Sequence, residues 1–377
     1  MAREPDYVYR RRRLIAAGMG GAAVVGALLV LYGLGRDGDG GSPPQPDPLA
    51  DVPLDELVGQ RLMVRMRGSA TPELIEAARA GTIGGVILFP PSDIEPAVAA
   101  DEVERLQQAA QRGGNPPLLV SIDQEGGPIK RLPGGPPEAS PAELGAAGDA
   151  GAATAEGVDT AAYLKRFGVN VDLAPVLDVP AAGSFMVDRA FGDDPGAVTE
   201  VGTAFAEGLA EGGIGATAKH FPGLGLATTN TDLAPSVVSA SRSELRAGLE
   251  PFEAAIADGV GLVMMSNATY PALDPDTPAG LSRRIVEQEL RDRLGFDGVV
   301  ITDDLEAGSI SAELAPPDAA VAAARAGADV VLFAKGADPG PIAAGLSRAA
   351  ERGLLDHASL EASYARIAAL KDVVAAT

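Results

Sequence analysis

The sequence predicts an α/β protein, a single (β/α)8 TIM-type barrel preceded by an N-terminal transmembrane helix. Two observations carry the barrel. From residue 51 onward, short apolar runs alternate with longer segments rich in Ala, Glu and Leu, the pattern of repeated βα units. The runs number eight, and eight units within a chain of 377 residues fit one closed barrel. A third observation carries the membrane segment: four arginines, residues 10–13, precede 22 residues without a charge, 14–35.

Taken in order, residues 1–13 form a short basic tail that the positive-inside rule keeps in the cytoplasm. At about 1.5 Å rise per residue, 14–35 is long enough to cross a hydrocarbon core of about 30 Å. The barrel is therefore expected outside the cytoplasm on a single-pass anchor. The alternative is a cleaved signal sequence and a secreted protein, although no A-x-A pattern closes the run. Residues 36–50, RDGDGGSPPQPDPLA, read as a flexible Gly/Pro/Asp linker.

The barrel domain is 51–377, with strands predicted over 61–66, 85–89, 118–122, 170–174, 215–219, 261–266, 298–302 and 329–333. Helices are predicted in between, among them PELIEAARA, ADEVERLQQAAQR, VTEVGTAFAEGLAEGG, RSELRAGLEPFEAAIADG, SRRIVEQELRDRLG and PDAAVAAARAG. Several run into Gly just before the next strand, where a left-handed C-cap is expected. A doubly wound sheet is the competing architecture, but it usually carries a Gly-rich phosphate loop after its first strand, and none follows Met66.

Composition removes several function classes. The formal charge is −22, from 52 acidic and 30 basic residues, so phosphate backbones are repelled and nucleic acid is not an expected partner. Cysteine is absent, which excludes thiol catalysis, disulfides and thiolate metal sites. The two histidines, His220 and His357, are too few for a site built from several imidazoles. No metal or organic cofactor is expected.

Active sites in barrels of this kind gather at the C-terminal ends of the strands, and the polar residues fall there. The third strand runs into Asp123, Glu125 and Arg131. The fourth leads to Asp178 and, farther along its loop, to Arg189. The fifth ends at Lys219 and His220, the sixth at Asn267, and the seventh at Asp303 and Asp304. One acid ending a strand is commonly a helix cap; five strands presenting such residues on one rim imply a site.

At KHFPG, DQEGG with Arg131, DRAFGDDP and GFDGVVITDDL, the chain resembles the β-N-acetylhexosaminidases of glycoside hydrolase family 3. Within them it is similar to the single-domain barrel members that remove N-acetylglucosamine from peptidoglycan fragments. The resemblance covers residues 53 to 335, and the chain stops too soon after its eighth unit to hold the second α/β domain of many β-glucosidase members. The resemblance implies a cell-wall glycan substrate, with Asp303 as nucleophile and Asp304 as a structural neighbour. Asp123, Arg131 and Arg189 would hold the sugar, together with the pair Lys219 and His220. Lysine and arginine donate hydrogen bonds without accepting any, while a carboxylate can accept from two hydroxyls, so the set suits one pyranose ring. Cations nearby are expected to keep Asp303 ionised.

The match breaks after KHFPG. Leu224 stands where the pattern has the histidine of PGHG, and Asn230, Thr231 and Asp232 stand where it has D-S-H, whose histidine is the acid/base. Asn267 replaces a frequent histidine, Pro128 an arginine, and His357 lies in an Ala/Leu-rich C-terminal helix. Retaining glycosidases need a nucleophile and an acid/base, usually two carboxyls about 5 Å apart. Asp232 is expected to take the second role, raised in pKa by burial on loop closure and oriented by a hydrogen bond from Asn230; Asn267 and Asp178 are supporting candidates. Two rival readings use the same residues: a cell-wall sugar-binding protein that no longer cuts, and a lyase using Lys219 as a Schiff base.

Overall fold

In the computed structural model, residues 49, 52–91 and 93–375 are described. The predicted anchor over 14–35 lies outside them; among the described residues, no helix is long and apolar enough to cross a membrane.

Eight parallel strands form the barrel: β1 (Leu62–Met66), β2 (Gly85–Leu88), β3 (Leu119–Ile122), β4 (Val171–Asp172), β5 (Gly215–Phe221), β6 (Leu262–Met265), β7 (Val299–Thr302) and β8 (Val331–Phe333). Each pairs with its sequence neighbour from β1 through β7, and β8 pairs with β1 through Leu62↔Val331. The last seam, β7 to β8, is closed by an Ile301↔Val330 bridge, with the Thr302 N–H donating to the Val330 carbonyl at 3.0 Å. Every predicted strand is present. The fourth is shorter than predicted because Pro175, two residues past its leucine, has no N–H for the ladder. Six helix-ending glycines, at 81, 114, 213, 259, 295 and 327, have φ between 71° and 109°, as predicted for left-handed C-caps.

The strands read as apolar runs because both faces are buried. Leu62, Val64, Val86, Val120, Val263 and Val300 face outward into the helix layer. Met63, Ile87, Leu119, Leu173, Met264 and Ile301 face inward and fill the barrel. The floor of the barrel is closed by the C-terminal helix His357–Ala375, whose Ile367 and Leu370 belong to the inner cluster. Small residues make room for it: a Cβ on Gly261 would lie 3.2 Å from Leu370, and one on Gly215 3.4 Å from Val374. Charge ties it down. Arg366 on this helix and Arg291 both bind Asp329 at the start of the eighth unit, at 2.8 and 2.6 Å.

The predicted site residues stand at the opposite rim, the C-terminal ends of the strands. Two short hairpins decorate it, one after β3 (Gln124–Gly126 with Ile129–Lys130) and one after β6 (Thr269–Tyr270 with Asp274–Pro278).

Candidate active site

Successive strand residues ordinarily point to opposite faces, yet Lys219 and His220 both serve the rim. Their strand contains the reason. Lys219 pairs with Met264 and Phe221 with Met265, so His220 is an extra residue in the ladder, and such a bulge re-aims its side chain. His220 turns to the segment after β4, where its Nδ1 lies 2.7 Å from Asp178 Oδ2. A carboxylate only accepts, so Nδ1 is the donor and Nε2 is left as the other functional nitrogen. Asp178 also accepts the backbone N–H groups of His220 (3.2 Å) and Leu224 (2.6 Å), fixing the KHFPG turn from below.

Lys219 stays on the inner face, 1% exposed, with its Nζ 3.0 Å from Asp123 Oδ1 and 2.6 Å from Glu125 Oε1. Glu125 in turn takes a fork from Arg189, at 2.9 Å from Nε and 2.6 Å from the terminal nitrogen. Arg131 reaches Asp123 at 3.4 Å and stacks over the Phe89 ring at 4.8 Å. Burial opposes ionisation of Glu125, but Lys219 and Arg189 outweigh it and hold the carboxyl down to about 2. Burial likewise opposes Asp123, and Lys219 again wins, keeping its pKa below the ordinary value. Lys219 itself is pushed up: burial lowers it, and the two carboxylates more than compensate.

Glu125 stood at the strand end in the sequence but carried no site role there; its function as the shared counter-ion emerges only from the folded register. Glu125→Gln leaves buried Lys219 and half-buried Arg189 short of one charge, and a stability loss of about 3 kcal/mol is expected in urea unfolding. The pH dependence has a definite sign. A folded pKa of about 2 against an ordinary 4.5 means that Glu125 stabilises above pH 4.5 and that the contribution is lost as pH falls toward 2. The variant should therefore lose less stability than the wild type across that window.

Beneath this cluster Asp172 is buried, accepts the Gln124 N–H at 3.0 Å through Oδ1, and is pushed up to about 8, mainly by burial. Gln124 is satisfied on all sides, by Leu132 and Pro136 carbonyls and the Leu132 N–H, and so fixes the hairpin that carries Asp123 and Glu125.

Asp303 follows β7, its N–H bonded to the Met265 carbonyl at 3.2 Å and its Oδ1 accepting the Asp304 N–H at 2.7 Å. The cations expected to keep it ionised do act on its pKa. Burial and the Asp232 carboxylate raise it above the ordinary value, while His220, the Asp304 N–H and Lys219 oppose without cancelling. Asp304 points away and holds the next loop through the Glu306 and Ala334 N–H groups, at 3.0 and 2.9 Å. Asn267 is buried and donates to the Asp304 carbonyl at 2.8 Å, bracing the peptide beside Asp303.

Asp232 is exposed, on a loop clipped to the segment after Asp303: the Gly308 N–H donates to the Asp232 carbonyl and the Ser309 N–H to that of Thr231, both at 3.0 Å. Gly308 is required there, since a Cβ would meet the Leu233 carbonyl at 2.4 Å. Asn230 differs from its expected role. Its Oδ1 accepts the Asp232 backbone N–H at 2.9 Å, so it shapes the turn rather than donating to the carboxylate. Leu224 is 1% exposed in the outer core under the loop. Among the described residues, no group of three or more His, Asp or Glu side chains is arranged to hold a metal ion.

Residues 53–370 match the family model described as Glycosyl hydrolase family 3 N terminal domain. A secreted glycosyl hydrolase of Arthroderma benhamiae is 37% identical over 340 residues, 87% of this chain and 96% of that one. The glycoside hydrolase family 3 β-N-acetylglucosaminidase of Paenibacillus sp. superposes with a TM-score of 0.82 at 36% identity, covering 86% of this chain and 63% of that one. The β-N-acetylhexosaminidase of Beutenbergia cavernae gives 0.79 at 36% identity, over 86% and 99%.

Proposed function

The chain belongs to glycosyl hydrolase family 3 as a β-hexosaminidase-like glycosidase, and from that premise we propose that it hydrolyses β-linked N-acetylhexosamine, N-acetylglucosamine of cell-wall glycan, with retention of configuration. Asp303 attacks the anomeric carbon while Asp232 delivers a proton to the departing oxygen. Asp232, now ionised, takes a proton from water, which displaces Asp303 and leaves the β-configured sugar. Asp123, Arg131, Arg189, Lys219 and His220 hold the ring.

The observation that carries this reading is the clip between the two loops. Main-chain hydrogen bonds from Gly308 and Ser309 bring the Asp232 loop onto the Asp303 loop, near enough for one carboxylate to raise the pKa of the other. A pair of interacting carboxyls is what two-step glycoside hydrolysis uses. The Schiff-base reading loses support from the same geometry, because Lys219 sits between two carboxylates that keep its proton, whereas imine formation needs the neutral amine. A sugar-binding protein without turnover is the second reading, favoured by the exposure of Asp232 and the Asn at 230.

The chain's residues 14–35 are proposed to anchor the barrel outside the cytoplasm, on the strength of the uncharged run behind four arginines. The deciding experiment is hydrolysis of aryl β-N-acetylglucosaminide, β-N-acetylgalactosaminide and β-glucoside across pH, with the first-formed anomer read by NMR. Preferential turnover of the N-acetylglucosaminide to the β-anomer is expected. Binding of N-acetylglucosamine without turnover of any of the three would establish the binding protein instead.

A further inference from the structure

The inside of a barrel is filled in layers, each contributed by four alternate strands with about one residue of stagger per strand. The stagger can be followed through Arg65↔Ile87, Ile87↔Ser121, Ile122↔Asp172, Asp172↔Ala216, Lys219↔Met264 and Thr302↔Met265. It brings Arg65, Asp123, Lys219 and Asp303 into one layer, the uppermost layer of β1, β3, β5 and β7. Two residues earlier on each strand stand Met63, Ser121, Thr217 and Ile301, of which Met63 and Ile301 are in the inner cluster, as the alternation requires. Three members of the upper layer already have a place in the sugar site. Arg65 is the fourth.

Arg65 differs from its counterpart across the barrel. Lys219 is held by two carboxylates; Arg65 is half-buried and has no ion-pair or hydrogen-bond partner among the described residues, in a chain with 52 acidic residues to choose from. Its terminal nitrogen lies against Gly336 after β8, where a Cβ would stand 2.7 Å from it. In a ring of eight strands β3 faces β7 and β1 faces β5. A pyranose with its anomeric carbon at Asp303 and its far hydroxyls at Asp123 therefore turns one lateral edge to Arg65, at the depth of the ring itself.

Covering a guanidinium with sugar strips it of water, which is costly unless the ligand supplies a countercharge. We propose that Arg65 selects a glycan whose pocket-bound sugar carries an anionic group, a carboxylate or a sulfate ester, on that edge. The planar fork fits either group through two parallel hydrogen bonds. The proposal rests on this pocket being the sugar site.

Calorimetric titration tests it with three methyl β-glycosides: that of N-acetylglucosamine, its 6-sulfate, and that of glucuronic acid. For the wild type, one anionic sugar should bind roughly tenfold tighter than the neutral one, with the advantage shrinking at high salt. The tighter of the two anions identifies sulfate or carboxylate as the group recognised. Arg65→Gln should abolish the advantage, and Arg65→Lys, which keeps charge but not the fork, should fall between. Neutral binding with no anionic advantage in the wild type, or an advantage that survives Arg65→Gln, overturns the role of Arg65 alone. No binding of any sugar together with no turnover of aryl glycosides overturns the sugar site as well.

Discussion

Asp303→Asn is expected to reduce turnover of an aryl β-N-acetylglucosaminide by on the order of 10⁴-fold or more while leaving KM within a few-fold, because the lost group acts on the reacting carbon and not on the ring. The amide is close in shape to the acid and should accept the Asp304 N–H as Oδ1 does now. Folding gives a control. Burial and Asp232 both disfavour the Asp303 charge, so a neutral replacement should melt no lower than the wild type. A variant that keeps a tenth of the wild-type rate would remove Asp303 from the nucleophile's role.

Asp232→Asn should show a different signature. A missing proton donor matters most when the leaving group is a poor one, so loss of about 10²- to 10⁴-fold is expected on a natural glycan or methyl glycoside. A nitrophenyl glycoside, whose departing oxygen needs little protonation, should lose far less in the first step. The limb of the pH–rate profile that reports the protonated acid should vanish with it. Equal rates for wild type and Asp232→Asn on both classes of leaving group would return the loop to an ordinary turn and leave the proton donor to be sought elsewhere.

Much of this architecture could be read from the chain because the barrel strands are buried on both faces, which makes each of them a short apolar run bounded by turn residues. The rim was legible for a related reason: a charged residue ending such a run has little choice but to sit at the mouth. What escaped the reading depended on register. Arg65 lies inside a predicted strand, where a charge among Leu, Met and Val gives no sign of which face it takes or what stands across from it. Glu125 lies in plain view in DQEGG, yet its bonds to Lys219 and Arg189 join residues far apart in sequence. The role of Asn230 inverted because an Asx turn and a side-chain contact to the next carboxylate call for the same residue, and local sequence does not distinguish them. The upward push on the pKa of Asp303 was not legible, because the cations were visible as letters, whereas the depth of burial was not.

The C-terminal helix ties the rim to the order in which the chain is made. Strand β1 leaves the ribosome before the other seven, and its partner β8 and the helix that fills the floor follow only after all the rest. Until then the growing sheet has two unpaired edges, and an inner face of Met, Ile and Leu stands open to water. Closure joins the first and last strands of the barrel and pays its loop entropy late, so a nascent chain of seven strands is the species most exposed to aggregation. The ring that sets Arg65, Asp123, Lys219 and Asp303 at one level is completed through that same late seam.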